Sequence, residues 1–200
     1  MNLTFKPYIC GMDKFISKFS STYSLDYNTS EWLLSKMKRV NLRKGEYIVK
    51  CGEYNDSFYI LSKGIWRAFR MNNGEETTFW FAFEGSVVFD VWCYCQNEIS
   101  PIGIESETEC EAYYISKNDL ESLCNQSLII ANAIRKIFEW HAFTYECNMM
   151  NFLNCENGVE RYQSIIKKYP ELLQYIPLKK LASYLLVTPQ SLSRIRACIK

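Results

Sequence analysis

Residues 45–85 read GEYIVKCGEYNDSFYILSKGIWRAFRMNNGEETTFWFAFEG, and their pattern decides the class of fold. Glycines stand at 45, 52, 64, 74 and 85, at gaps of 7, 12, 10 and 11 residues. Between them run short β-branched and aromatic stretches: Tyr47–Val49, Phe58–Leu61, Ile65–Phe69 and Thr77–Phe81. Each stretch has strand length and is bounded by turn residues. Asn73-Gly74 suits a two-residue hairpin, because both residues tolerate positive φ. Gly103–Ser106 and Ala112–Ile115 continue the series, so residues 41–116 are expected to be strands. Six or more short strands at this spacing predict a sandwich or barrel rather than an α/β fold.

Outward from this core, both flanks turn helical. In residues 1–40, Phe15, Phe19, Trp32, Leu33, Leu34 and Met37 fall at helical spacings, and Ser30 with Glu31 supplies a start signal. After the strands, Asn118-Asp119 opens a short helix, and a long one is expected from about Ser127 to Leu153. There Ile130, Ile134, Ile137, His141 and Thr144 recur at steps of four, three, four and three, the spacing of a seam between paired helices. Ile130, Ile134, Ile137 and His141 are therefore the predicted dimerisation residues. Phe138, Tyr145, Met149 and Phe152 are expected to pack on the chain's own strands. Asn157-Gly158 ends the run, and a further helix covers roughly Val159–Tyr169. Three units follow: a strand-rich domain over 1–126, a long helix with a pairing seam over 127–156 and a small helical domain over 157–200.

The last 24 residues, PLKKLASYLLVTPQSLSRIRACIK, carry a helix-turn-helix pattern. Ala182 supplies the small residue needed where two helices cross closely, and Leu181, Leu185, Leu192 and Ile195 supply the apolar contacts. Thr188 caps the second helix, and Pro189 fits its first turn without losing a hydrogen bond. The polar face of that helix offers Gln190, Ser191, Arg194 and Arg196; Gln and Arg read adenine and guanine edges bidentately. Leu186 stands where the tight turn favours glycine. A left-handed residue with a side chain costs roughly 1–2 kcal/mol, so a looser turn is expected. An ordinary helical hairpin would satisfy the apolar pattern equally well. Charge favours the first alternative: residues 1–156 hold 15 basic and 20 acidic side chains, whereas 157–200 hold 8 and 2. A basic tail on an acidic body suits a polyanion, with Lys179 and Lys180, beside Lys167 and Lys168, as phosphate contacts.

Composition narrows the class further. Apolar residues make up 48% of the 200-residue chain, enough for a packed core. The longest uncharged stretches, Ser122–Ile134 and Leu181–Ser193, span thirteen residues each and are too short for a membrane span. Nine cysteines, an odd number without CxxC pairs, read as reduced thiols in a cytoplasmic protein. Cys93 and Cys95 are expected to alternate along a strand as inert thiols. The single histidine, His141, is expected to be a packed residue rather than a haem ligand.

In its order of parts the chain resembles the bacterial Crp/Fnr family of transcriptional regulators over nearly its full length. Gly45, Gly52, Tyr59-Ile60-Leu61, Gly64, Gly74 and Gly85 resemble that family's cyclic-nucleotide-binding β-roll. Residues 127–156 resemble its dimerisation helix, and residues 178–199 its helix-turn-helix. The resemblance implies an α+β fold: an N-terminal double-stranded β-roll of jelly-roll type, a long dimerisation helix and a small all-α helix-turn-helix domain. No wing is evident, since residues 170–177 are too few for a hairpin. It also implies a non-enzymatic homodimer with double-stranded DNA, RNA polymerase and a small effector as partners, and no resident cofactor. In the resembled family the residue matching Arg194 contacts a base, while Pro189 and Gln190 replace an Arg and a Glu.

Departures from the family are informative. Its phosphate cassette has Gly-Glu and, ten residues on, Arg; here Phe89, Asp90 and Ser100 stand instead. Asp90 and Ser100 are thus the ligand-pocket candidates. No Lys or Arg occurs from Ser86 to Ser116, so a buried cyclic phosphate would lack its charge-assisted partner. Cyclic-nucleotide binding is not expected. An iron–sulfur sensor needs several N-terminal thiolates, and only Cys10 precedes Cys51. Two other functions stay open: a sensing module whose helix-turn-helix contacts protein, and a cupin-type metal enzyme, for which one histidine is too few.

Overall fold

A computed structural model describes residues 6–199, with side chains from Gly11 onward. The outer ends of the predicted first and last domains, Lys200 and the Cys10 side chain lie outside the described residues.

Helices α1 (Lys6–Tyr23) and α2 (Tyr27–Lys36) lead in. The start of α2 is set by Asp26 rather than by Ser30-Glu31. The Asp26 carboxylate accepts the Thr29 N–H at 2.8 Å and its hydroxyl at 2.5 Å. These bonds hold the Asp26 pKa below the usual carboxylate value. Ser30 lies inside the helix, buried, with its hydroxyl 2.8 Å from that of Ser20 on α1.

Eight strands follow: β1 (Lys38–Leu42), β2 (Tyr47–Val49), β3 (Phe58–Lys63), β4 (Trp66–Asn72), β5 (Glu75–Ala82), β6 (Val87–Val88), β7 (Gly103–Ser106) and β8 (Cys110–Ile115). They form two four-stranded antiparallel sheets, β1-β8-β3-β6 and β2-β7-β4-β5. Leu61, Trp66, Ala68, Ile104 and Ala112 fill the space between them. Two strands escape the sequence pattern. β1 is a polar stretch, KRVNL, and β6 has two residues. The β4–β5 hairpin turns at Asn73 and Gly74, with φ of 51° and 81°, as the pair predicts.

Cys93 and Cys95 do not lie on a strand. Residues Trp92–Gln96 form one π-helical turn, because Asp90 caps it: its carboxylate accepts the Cys93 N–H at 3.0 Å and its carbonyl the Tyr94 N–H at 2.8 Å. Cys93 is consequently buried and Cys95 exposed.

Helices α3 (Lys117–Gln126) and α4 (Leu128–Leu153) are capped by Ser116 and Ser127. The inner stripe of α4, Ile130, Ile134 and Ile137, enters the chain's own core with Phe15, Phe19, Leu33 and Phe58. The predicted dimer seam is therefore corrected: these isoleucines anchor α4 to its own domain. A stripe at heptad spacing reports burial, not which molecule does the burying. Phe138 packs as predicted, against Phe58 and Phe89, but Tyr145 and Met149 are exposed.

Four helices close the chain: α5 (Gly158–Lys168), α6 (Leu172–Tyr175), α7 (Leu178–Tyr184) and α8 (Pro189–Cys198). Among the described residues no strand follows β8, so none of them forms a wing beside α8. Nor is any described helix long and apolar enough to cross a membrane.

Candidate nucleic-acid interface

The α7–α8 pair is built around Leu181, Ala182, Leu185 and Leu192, all at most 1% exposed. Between the helices the chain makes a tight turn, not the looser one expected. Leu186 adopts φ of 52°. Its N–H donates to the Ser183 carbonyl at 3.2 Å, and the Val187 N–H to the Ala182 carbonyl at 3.0 Å. This pair of bonds is a Schellman closure, normally made with glycine. Packing holds the strained residue: Val187 lies against Gly158 of α5, where a Cβ would come within 2.7 Å of it. The Arg161 guanidinium donates to the Leu185 carbonyl at 3.0 Å.

Thr188 caps α8, its hydroxyl accepting the Ser191 N–H at 3.1 Å, and Pro189 takes the first turn. Thr188 and Ser191 are thus committed to the cap, their hydroxyls 2.9 Å apart. Gln190, Arg194 and Arg196 are exposed, with Gln190 and Arg194 four residues apart on one face. Lys179 is exposed as well.

Lys180 is placed differently. Its ammonium lies against the β-roll, donating to Glu107 at 2.7 Å and also to Glu105. Behind them sits Arg67, fully buried, donating to Glu107 at 2.7 Å, Glu76 at 2.6 Å and the Thr78 hydroxyl at 3.1 Å. For Glu105, burial pushes the pKa up, but the bonds from Lys180 and Arg67 outweigh it and pull it to about 2. Burial pushes the Glu107 carboxyl up. The sequence reading missed Arg67, Glu105 and Glu107. The available signals were a charge between Trp66 and Ala68 in a strand, and two carboxylates two residues apart, one in β7 and one just past its end.

Asp90 and Ser100, the pocket candidates, are brought together. Both are buried, and the Ser100 hydroxyl donates to the Asp90 carboxylate. His141 lies against Phe89, ring centroids 5.1 Å apart, and burial lowers its pKa. The outward side of α4 carries an apolar stripe, Trp140, Phe143, Cys147 and Met150, at steps of three, four and three, with Leu153 beyond. Phe143 and Leu153 are each 67% exposed.

Residues 39–127 match the cyclic nucleotide-binding domain family. No curated protein matches the sequence. Among solved structures, the chain is similar to FixK2 from Bradyrhizobium japonicum, with a TM-score of 0.65 at 16% identity over 82% of this chain and 84% of that one. It is also similar to CLP, the c-di-GMP responsive global regulator of Xanthomonas campestris (TM-score 0.65, 14% identity, 87% and 91% covered). The Thermus thermophilus catabolite activator protein gives 0.52 at 17% identity, with 88% and 84% covered. At these identities the likeness is one of fold.

Proposed function

We propose that this chain, which has the architecture of the Crp/Fnr regulators, is a non-enzymatic, sequence-specific DNA-binding transcription regulator. The observation that carries the reading is the Schellman-closed α7–α8 pair with Gln190 and Arg194 presented together. In such a motif the second helix enters the major groove by its N-terminal end. Arg194 then offers a bidentate fork to guanine, worth about 1–3 kcal/mol of discrimination. Lys179 meets phosphate, which adds affinity without sequence information. The units proposed for this work are the β-roll over 1–126, the pairing helix over 127–156 and the reading domain over 157–200.

Pairing of two copies through α4 accompanies this function, because one helix-turn-helix reads only a half-site. The outward stripe Trp140, Phe143, Cys147 and Met150 is the proposed seam, in place of the buried isoleucines. The sensor domain is proposed not to take cyclic nucleotides, since the cassette acid is already bonded by Ser100.

Selection from a random duplex pool tests the whole reading. The native chain should recover paired half-sites. Arg194→Ala should flatten preference at one base pair per half-site, while Lys179→Ala should weaken all sequences alike and lower the salt slope by about one. Phe143→Glu with Met150→Glu should give monomers in sedimentation and lose the paired sites. Unchanged base preference in Arg194→Ala would sink the docking, and no retained duplex at low salt would leave the α7–α8 pair as a protein-contact surface.

A further inference from the structure

The α7 helix is held on the outer face of the β2-β7-β4-β5 sheet by polar contacts that have nothing to do with its pairing to α8. The Ser183 hydroxyl donates to the Glu76 carbonyl at 2.8 Å and accepts the Thr78 N–H at 2.9 Å, so it pairs with the free edge of β5. Lys180, one turn earlier, completes the cluster of Arg67, Glu76, Glu105 and Glu107. Aromatic contacts flank it: Phe81 meets Tyr184 edge-on at 5.2 Å, and Phe83 stacks on Tyr169 at 4.4 Å. Three carboxylates thus surround two cations, and one of those cations comes from the small domain.

Ile65, Phe81 and Phe83 of the β-roll also join the apolar cluster of the small helices, so release has to come from the polar part of the contact, which two features weaken. Taking charges out of water roughly offsets their mutual attraction, so a buried ion cluster holds two surfaces in register without holding them tightly. Furthermore, one Glu107 oxygen is buried without a hydrogen-bond partner, so the cluster is incompletely satisfied when closed. The competitor for Lys180 is chemically similar to its present partners. In a helix-turn-helix the first helix crosses the nucleic-acid backbone, and a phosphate oxyanion asks for the same ammonium that Glu105 and Glu107 now occupy.

We propose that docking of α7 on the β-roll is an autoinhibitory latch, in which Lys180 is held by Glu105 and Glu107 in the resting chain and surrendered to duplex phosphates on binding. The proposal rests on the reading of α7–α8 as a DNA-binding unit. It adds that the sensor domain regulates that unit through one shared cation. Whatever weakens the carboxylates' hold on Lys180 releases the reading domain, and duplex binding in turn loosens β5.

The test uses the full chain with Glu105→Gln and Glu107→Gln together, leaving Lys180 intact. Hydrogen exchange over 75–82 and 178–184 reports undocking, and titration with a labelled random duplex at low salt reports binding. The expected result is faster exchange, melting still cooperative, and binding about tenfold tighter. The salt slope should also rise by about one, as Lys180 gains a phosphate. In a second variant, Thr78→Cys with Ser183→Cys is introduced to clamp α7 to β5, with cooperative melting of the reduced form as the check on its fold. Oxidation should abolish duplex binding and reductant should restore it, with the native chain unaffected by the same treatment. Unchanged exchange in the glutamine variant, or faster exchange with equal or weaker binding, overturns the latch, as does a clamped chain that still binds. If neither native chain nor variants bind any duplex, the DNA-binding reading fails first and the latch falls with it.

Discussion

Two buried acidic sites on the same β-roll are treated in opposite ways. Asp90, after β6, is satisfied by neutral groups alone: the Ser100 hydroxyl and the Cys93 N–H. Glu105 in β7 and Glu107 just beyond it are instead held by two cations, Arg67 from the neighbouring strand and Lys180 from α7, with one Glu107 oxygen left unpaired. The first arrangement is closed and local, and it leaves no positive charge for an anionic ligand. The second spans two units of the molecule and depends on where α7 lies. Cations thus meet buried carboxylates where α7 lies on the β-roll, whereas only neutral groups meet Asp90. A carboxylate bonded by its own loop is fixed by sequence neighbours, whereas one neutralised from afar responds to domain position.

The sharpest way to break this contrast is Arg67→Met. It leaves Glu105 and Glu107 buried with Lys180 alone, and loss of one partner of a buried ion cluster destabilises by about 3–5 kcal/mol. Urea denaturation should register the loss. A change near zero would mean that the cluster is already open to water.

The pH dependence should be intermediate in size and carry two signs. The carboxyls face Arg67 and Lys180, with Glu76 alongside. The Glu107 pKa lies above its ordinary value of 4.5, so the folded chain takes up that proton first. Between the raised value and 4.5, this group contributes more stability as pH falls. Glu105 is shifted the other way, to about 2. Its contribution is complete above 4.5 and is lost as pH falls from there towards about 2. The urea midpoint of the native chain, minus that of the Glu105→Gln, Glu107→Gln variant, should therefore pass through a maximum near the ordinary carboxylate value. A flat difference would remove the charge cluster from the account of stability.

The smallest effect belongs to the cassette. Cyclic AMP or cyclic GMP titrated into the chain in a calorimeter should give no saturable heat at micromolar concentration. A low-micromolar dissociation constant would show that Asp90 and Ser100 are not the closed pair described above.

Much of the fold was legible because its signals are short-range. Asn73-Gly74, the cap Thr188 with Pro189, and the strand runs between glycines all depend on residues within a few positions. Their elements form where expected, to within a few residues. The errors lie where a local signal had a non-local competitor. Ser30 looked like a cap but serves a hydroxyl pair with Ser20. Cys93 and Cys95 looked like strand residues, yet Asp90 winds them into a π-helical turn. Leu186 was expected to loosen its turn; instead the contacts of Val187 and Arg161 hold the left-handed residue in place.

Of the candidate sites, the sequence by itself determined the α7–α8 helical pair, the polar face with Gln190 and Arg194, and the absence of a basic residue from Ser86 to Ser116. These follow from helical period and from residue chemistry alone. Only the tertiary structure decided which side of α4 faces outward and what Lys180 touches. The isoleucine stripe and the Trp140–Phe143–Cys147–Met150 stripe repeat with the same period on one helix, and periodicity cannot say which of two apolar faces the chain buries in itself. Lys180 and Glu105 are 75 residues apart. Their pairing exists because β5 presents an open edge that Ser183 fills, and that is a property of packed layers rather than of any stretch of chain.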